Sequence, residues 1–101
     1  MKLIKLPQAL IDLVETADYF AENSPETADR FFDAFEATLN DILKTPKIGS
    51  IRKFRNDVDI RMWFVRGFKR SLIFYTENND EVVILRIIDS AREYTRFFNK
   101  D

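Results

Sequence analysis

The 101-residue sequence contains no cysteine and no histidine. Because cysteine is absent, disulfides and thiolate zinc sites are excluded, and a reducing cytoplasm is the compatible compartment. Because histidine is absent, serine–histidine catalysis and histidine-ligated metals are excluded as well. Any acid–base chemistry would have to use Lys, Arg, Tyr or carboxylate side chains. The sequence therefore predicts no metal site and no cofactor.

Long apolar runs are also absent from the chain. None approaches the roughly 20 residues that a membrane-spanning helix needs, and the segment 1–7 is too short for a signal peptide. Apolar residues make up 46% of the chain and charged residues 33%, which is ordinary for a soluble folded protein. The length suits a single domain over residues 1–101. We therefore expect one cytoplasmic domain with no membrane contact.

Charge is unevenly distributed along the chain, although the formal net charge is only −1. Residues 1–50 hold five basic and nine acidic side chains, whereas residues 51–101 hold eleven basic and eight acidic ones. The second half is therefore predicted to carry the surface that meets an anionic partner, either nucleic acid or an acidic peptide.

Two amphipathic helices are predicted in the first half of the chain. Pro7 suits the first turn of a helix. Ser24-Pro25-Glu26 then combines a capping hydroxyl, a first-turn proline and a carboxylate at the positive end of the helix dipole. The second helix is expected to run from Pro25 to about Lys44, where Thr45-Pro46 stops it. Because one or two residues separate the helices, they must form an antiparallel hairpin.

Each predicted helix has an apolar stripe and an acidic side. In the first helix the apolar residues recur at spacings of three and four: Leu10, Leu13, Val14, Ala17 and Ala21. The carboxylates of both helices could in principle pair as a metal or acid–base site. Because they lie between or opposite the apolar positions, they are interpreted as solvated surface: Asp12, Glu15, Asp29, Asp33 and Glu36.

After Asn56 the hydrophobic period changes from 3.6 to 2, which indicates strands. Residues 60–65, 71–76 and 82–88 are predicted to form three antiparallel strands joined by short turns. A first strand is expected at 2–6, and residues 51–55 form either a strand or an irregular basic loop. The predicted fold is α+β, a two-layer sandwich with the order β-α-α-β-β-β. The helical hairpin packs on one face of a mainly antiparallel sheet, with room for a short C-terminal helix.

The last predicted strand contains one charged residue, Arg86, within an aliphatic run. By strict alternation, Arg86 lies on the same side as Val82, Ile84 and Ile88. An unpaired guanidinium is costly to bury, so this side is predicted to be a groove open to solvent or to a partner. Two interpretations stay open for Arg86: an ion pair with Asp89 or another carboxylate at the rim, and contact with a partner.

Several short motifs follow one another along nearly the whole chain. They are Ala17 to Glu22, the Ala-x-x-Phe pattern within Ala28 to Phe35, Lys44-Thr45-Pro46-Lys47-Ile48-Gly49, Ile73-Phe74-Tyr75, and Leu85-Arg86-Ile87-Ile88 followed by Ala91-Arg92-Glu93. In this order and at these spacings, they resemble the ParE branch of the RelE/ParE superfamily. These proteins are the toxins of bacterial toxin–antitoxin modules and are also known as plasmid stabilisation proteins.

The resemblance implies a cytoplasmic toxin that inhibits growth by binding a target and is neutralised by a cognate antitoxin. DNA gyrase is the target of the best-known ParE members, so gyrase inhibition is the expected activity. The resemblance also implies that a C-terminal segment of the antitoxin wraps the helical hairpin and the exposed face or edge of the sheet. A homodimer and a heterotetramer with the antitoxin are both compatible with the sequence.

Two alternatives stay open beside this hypothesis: a RelE-like, ribosome-dependent endoribonuclease acting on mRNA, and a degenerate family member without toxicity. The nuclease branch surrounds a phosphodiester with several cations and moves protons with Lys, Arg or Tyr. The candidate cations here are mostly arginines, which are poor general bases at neutral pH. Asp89 also stands where relatives commonly have histidine. The sequence therefore favours a binding protein over a metal-independent nuclease, and no catalytic residue is assigned.

The candidate contacts with a target or antitoxin are cationic and aromatic side chains of the second half. They are Arg61, Trp63, Arg70, Arg86, Arg92 and Tyr94. Taken singly, Arg61, Arg70 and Arg92 could equally be solvated surface charges. Trp63 could be a core residue or an interface anchor, since tryptophan is enriched at the centres of protein interfaces.

Overall fold

The computed structural model describes residues 1–53 and 59–92, and within them two helices pack on one five-stranded sheet. The elements are β1 (Lys2–Lys5), α1 (Pro7–Asn23), α2 (Pro25–Lys44), β2 (Ser50–Lys53), β3 (Asp59–Val65), β4 (Phe68–Glu77) and β5 (Glu81–Asp89). The strand order is β1-β5-β4-β3-β2. β1 runs parallel to β5, and the other neighbours are antiparallel. The predicted α+β sandwich is confirmed, with β2 resolving the strand-or-loop alternative in favour of a strand.

Ser24 separates the two helices and serves both of them. Its N–H donates to the Phe20 carbonyl at the end of α1, 3.0 Å away, and its hydroxyl accepts from the Thr27 N–H at the start of α2. Pro25 follows as the first residue of α2, where a missing N–H costs nothing. Because a single residue connects the helices, α2 must fold back on α1, as the sequence predicts.

The rotation of α1 about its axis differs from the predicted one. Ala9, Leu13 and Ala17 are buried, whereas Leu10, Val14 and Ala21 are exposed, so the prediction that the last three face the core is wrong. The sequence contains two overlapping stripes at helical spacing, and both are apolar. The stripe that faces inward contains small alanine side chains, which let the helix approach the sheet closely.

Apolar clusters lie on both faces of the sheet. On the face covered by the helices, buried side chains from α1 and α2 pack against Val65, Ile73, Tyr75, Val82, Ile84 and Ile87. On the opposite face, a second cluster is formed by Ile60, Leu72, Phe74 and Ile88. The alternation of β3 therefore follows the prediction, because Ile60 belongs to one cluster and Val65 to the other.

The turns between strands use local backbone chemistry. Gly67 adopts a φ of 78°, a conformation that favours glycine, in the two-residue turn between β3 and β4. β4 begins at Phe68, directly after this turn and three residues before its predicted start. Between β4 and β5, the side-chain oxygen of Asn78 accepts hydrogen bonds from the N–H groups of Asp80 and Glu81. The predicted C-terminal helix lies outside the described residues.

Candidate functional site

Arg86 forms a two-point ion pair with Asp12 of α1. Its Nε lies 2.7 Å from Asp12 Oδ2, and its Nη2 lies 3.1 Å from Asp12 Oδ1. The Arg86 side chain is 19% exposed and that of Asp12 only 7%. The alternative of an ion pair for Arg86 is therefore realised, with Asp12 as the partner rather than Asp89. The interpretation of Asp12 as solvated surface is wrong.

A β-bulge places Arg86 opposite Phe74. The pairing of β4 with β5 shifts between Phe74 and Tyr75, which face Arg86 and Ile84, so Leu85 is an extra residue in β5. Beyond the bulge the alternation changes, because Ile84 and Ile87 both belong to the helix-side cluster. The prediction that Arg86 shares one side with both Ile84 and Ile88 is therefore wrong. Strict alternation cannot anticipate an inserted residue.

The Asp12 carboxylate also completes the hydrogen bonding of β5. β1 pairs only with residues 81–84, so it leaves the rest of this edge of β5 without a neighbouring strand. The Ile87 N–H donates to Asp12 Oδ2 at 3.0 Å, and the Gln8 amide donates to Asp12 Oδ1. An unsatisfied buried N–H would cost about 1–3 kcal/mol. Asp12 therefore ties α1 to the strand where β1 ends.

The balance of forces on Asp12 favours its ionised form. Burial acts to raise the pKa of Asp12, but hydrogen bonds from Arg86, the Ile87 N–H and Gln8, together with attraction to the Arg86 charge, lower it below its ordinary value. A lowered pKa in the folded state means that the ionised carboxylate stabilises the fold. This contribution is complete above the ordinary pKa of an aspartate, about 4. It is lost as the pH falls through the lowered value.

We therefore expect Asp12→Asn to lower the free energy of unfolding by roughly 2 kcal/mol at pH 7, because charge-assisted hydrogen bonds are lost. The difference in stability between the native protein and the variant should shrink as the pH falls below about 4. Urea unfolding at a series of pH values measures it. Asp18→Asn, which removes an exposed carboxylate from the same helix, is the matched control and should keep the native profile. A difference that stays constant at all pH values would contradict this role.

Arg61, in β3, lies close to the loop that follows α2. Its Nε lies 3.1 Å from Glu77 Oε2, and its Nη1 donates to the Gly49 carbonyl at 2.7 Å. Both side chains are largely buried, at 13% and 19% exposure. In the structure, Arg61 therefore anchors the residue 45–49 loop to β3 and β4.

Tyr75 also binds the residue 45–49 loop. Its hydroxyl donates to the Pro46 carbonyl at 2.7 Å and accepts from the Gly49 N–H at 2.9 Å. Burial raises the pKa of Tyr75, as does the nearby Glu77, while the Gly49 hydrogen bond and the charge of Arg61 act in the opposite direction. The segment Pro46-Lys47-Ile48-Gly49 is thus hydrogen-bonded at both ends to the hydroxyl of a buried tyrosine.

Arg70 lies near the start of β4, and Arg92 follows the end of β5. Arg70 Nη2 lies 3.3 Å from Asp89 Oδ1, and both side chains are well exposed. Two adjoining cavities of about 260 and 280 Å³ open between this pair and the end of α1, with Tyr19, Phe20, Ser71 and Asp89 lining both. Arg92 lines the first cavity together with Asp12, and Arg70 lines the second.

The structure thus places two of the candidate residues, Arg70 and Arg92, at adjoining cavities and separates the others. Asp12, the partner of Arg86, also lines the first cavity, whereas Arg61 lies at the residue 45–49 loop. Trp63 is half-buried against the helix-side core, and its ring stacks on Phe64 at 4.7 Å. Tyr94 lies outside the described residues.

Sequence reasoning missed Asp12 and Glu77 as partners of the two best-buried arginines. A signal for Asp12 does exist. It lies three residues after Ala9 and one before Leu13, so it belongs to the inward stripe once α1 is rotated to bury alanines. A carboxylate on an inward helix face predicts a buried cation nearby, and Arg86 is the charged residue within the aliphatic strand.

The described residues offer neither a metal site nor a membrane helix. Within 1–53 and 59–92, no group of three or more acidic side chains is placed to hold a metal ion. Across the same ranges, neither helix is long and apolar enough to cross a membrane.

Comparison with known proteins agrees with the architecture. A solved structure described as the chromosomal ParDE TA system from P. aeruginosa is similar, with a TM-score of 0.71 and 19% sequence identity, over 88% of this chain and 95% of that chain. At this identity the likeness shows a shared fold. No curated protein matches the sequence.

The family assignment rests on a match that covers most of the sequence. The family model for the ParE toxin of the type II toxin–antitoxin system parDE matches residues 3–94. This match covers all seven described elements from the second residue of β1 onwards. The chain therefore belongs to the ParE toxin family of type II toxin–antitoxin systems.

Proposed function

We propose that this protein is the toxin of a type II toxin–antitoxin module that inhibits growth by binding DNA gyrase and is neutralised by a cognate antitoxin. The observation that carries the proposal is the family match over residues 3–94. The fold shared with a chain of a ParDE system supports it. A cytoplasmic location is the corresponding prediction, because gyrase acts on the chromosome.

The ion pairs of three arginines support a binding function rather than RNA cleavage. A phosphodiester-cleaving site needs several cations directed at one phosphate, where charge develops in the transition state. Here Arg61 binds Glu77, Arg70 binds Asp89 and Arg86 binds Asp12. Each of these cations is already directed at a carboxylate, and the most buried ones hold structural elements together.

An experiment in cells distinguishes DNA gyrase from mRNA as the target. We expect induction of the protein in a bacterial host to stop growth and to change plasmid supercoiling, while translated messages stay intact. Supercoiling is measured on chloroquine gels and message integrity by primer extension. A plasmid with an early stop codon in the same gene is the control.

Two other outcomes would contradict the proposal. Cleavage within translated messages, with supercoiling unchanged, would identify a RelE-like nuclease. Normal growth despite confirmed soluble expression would identify a degenerate member. If a small chain is encoded beside the gene, its co-expression should restore growth, and no rescue would contradict neutralisation by that chain.

A further inference from the structure

The two adjoining cavities beside α1 have the size and lining of a small-molecule site. They measure about 260 and 280 Å³ and lie between the second half of α1, the start of β4 and the end of β5. Four residues line both of them, so one ligand can span the two: Tyr19, Phe20, Ser71 and Asp89. Ligand sites typically enclose about 300–1,000 Å³ and combine aromatic surface with a few polar groups.

Ser71 contributes a buried hydroxyl without a partner at the junction of the cavities. The residue is 5% exposed, and its hydroxyl forms no hydrogen bond within residues 1–53 and 59–92. Every fully enclosed side-chain nitrogen or oxygen in those ranges has a partner, so the Ser71 oxygen must be open to the cavities. Because buried polar atoms are normally hydrogen-bonded, this hydroxyl indicates a polar ligand.

Asp89 contributes a second available acceptor at the same junction. Its Oδ1 accepts from Arg70 Nη2 at 3.3 Å and from the Ala91 N–H at 2.8 Å. Its Oδ2 forms no hydrogen bond in the described part of the chain. In nucleotide-binding folds, a carboxylate in such a position binds the hydroxyls of ribose. The junction of the cavities therefore suits a ribose.

The second cavity is cationic. Lys69 and Arg70 line it, and both side chains are exposed. Lys69 forms no ion pair within the described residues, and the Arg70 contact with Asp89 is of the exposed kind that contributes little. Arg70 can therefore turn to a ligand anion at small cost. Two adjacent cations of this kind suit a phosphate group.

The first cavity offers an aromatic face beside a carboxylate. Tyr19 is 61% exposed, and its ring meets that of Phe20 edge-to-face at 5.6 Å. Nucleotide bases stack on exposed aromatic rings of this kind. Glu15 lines the same cavity, is exposed and forms no ion pair in the described part of the chain. A carboxylate accepts hydrogen bonds from the amino group of a base.

We propose that the two cavities together bind a free mononucleotide whose base carries an amino group, such as adenosine monophosphate. The phosphate pairs with the two cations of the second cavity, and the ribose hydroxyls bond to Ser71 and Asp89 at the junction. The base stacks on Tyr19 in the first cavity, with its amino group towards Glu15. A nucleotide carries these three parts in the order in which the cavities present their partners. This site goes beyond the proposed function and does not depend on it.

Calorimetric titration of the purified full-length protein tests the ligand class. The probe is adenosine monophosphate, and each comparison ligand lacks one part of it: adenosine, ribose 5-phosphate and inorganic phosphate. We expect adenosine monophosphate to bind at least tenfold more tightly than any of these, because each loses a phosphate, a base or a base with its ribose. Its affinity should fall with added salt, whereas that of adenosine should not.

Variants of the protein locate the site. Tyr19→Ala should weaken adenosine monophosphate about tenfold through loss of stacking. Lys69→Gln with Arg70→Gln should weaken it about tenfold and leave adenosine unaffected. Lys44→Gln with Lys47→Gln removes two exposed cations from a different cavity and is the matched control, expected to bind like the native protein. Thermal unfolding by circular dichroism checks that every variant is folded.

Three results would overturn the nucleotide site. They are no binding of adenosine monophosphate at millimolar concentration, equal affinity for inorganic phosphate, and equal weakening by the Lys44 and Lys47 control. Amide chemical shift changes centred on Tyr19 and Ser71 would support it without any variant. Each outcome is obtained with purified protein, so the nucleotide site can fail while induction still stops growth, and it can hold while induction leaves growth unchanged.

Discussion

Arg86→Ala is expected to lower the free energy of unfolding by about 3 kcal/mol, because it leaves the Asp12 carboxylate buried without its cation. Asp12 would keep its hydrogen bonds from Ile87 and Gln8 but lose the two contacts with the guanidinium. Chemical denaturation at pH 7 measures the effect. Contact between Arg86 and a partner stays a prediction beside this structural role.

A double-mutant cycle with Asp12→Ala tests whether the loss arises from the pair. If it does, the double variant should be much less unstable than the sum of the single variants predicts. Arg70→Ala is the matched control, since its bond to Asp89 is exposed and should contribute no more than about 1 kcal/mol. Equal destabilisation by Arg86→Ala and Arg70→Ala would show that burial of the Asp12 pair is unimportant.

Gly49→Ala is expected to destabilise the protein by about 2–3 kcal/mol, through overpacking and a weakened hydrogen bond. An added Cβ would lie 2.8 Å from the Tyr75 hydroxyl, 2.9 Å from its ring and 3.0 Å from the Met62 carbonyl oxygen. The Tyr75 ring is fully buried and holds Pro46, so it cannot move aside without breaking that contact. The midpoint of thermal unfolding measures the change.

Gly67→Ala is the comparison that separates crowding from backbone strain. Nothing lies within 4 Å of a Cβ at Gly67, but its φ of +78° disfavours other residues. The expected cost is therefore about 1 kcal/mol, below that at Gly49. Gly67→Asn should cost less than Gly67→Ala, because asparagine tolerates this conformation better. A larger loss at Gly67 than at Gly49 would contradict the role assigned to Tyr75.

Local signals in the sequence predicted the elements well. The Ser24-Pro25 start of α2 and its end at Lys44 depend on capping and proline chemistry within a few residues, and both are confirmed. The strands followed from period-2 patterning, which reports the two faces of a sheet. Where geometry departs from the regular repeat, as at the bulge in β5, the pattern failed because one extra residue reverses every later assignment.

The sequence indicated which charged residues are exceptional, but not which side chains they pair with. Arg86 was recognised as exceptional because a charge in an aliphatic strand needs compensation. Its partner lies 74 residues away in the chain, on a helix whose rotation the sequence leaves undecided between two apolar stripes. Packing against the sheet selects the alanine stripe, and that choice alone turns Asp12 inward and Leu10 and Val14 outward.

The sequence by itself determined the α+β class, the helical hairpin, the strand order along the chain and membership of the ParE family. These depend on local propensity, periodicity and ordered motifs, all of which are properties of neighbouring residues. Only the tertiary structure decided that Arg86 is bound to Asp12, that Tyr75 anchors the loop after α2, and that α1 presents an apolar and acidic face. These features arise when the helices settle on the sheet, because the close packing there sets which side of each helix is buried.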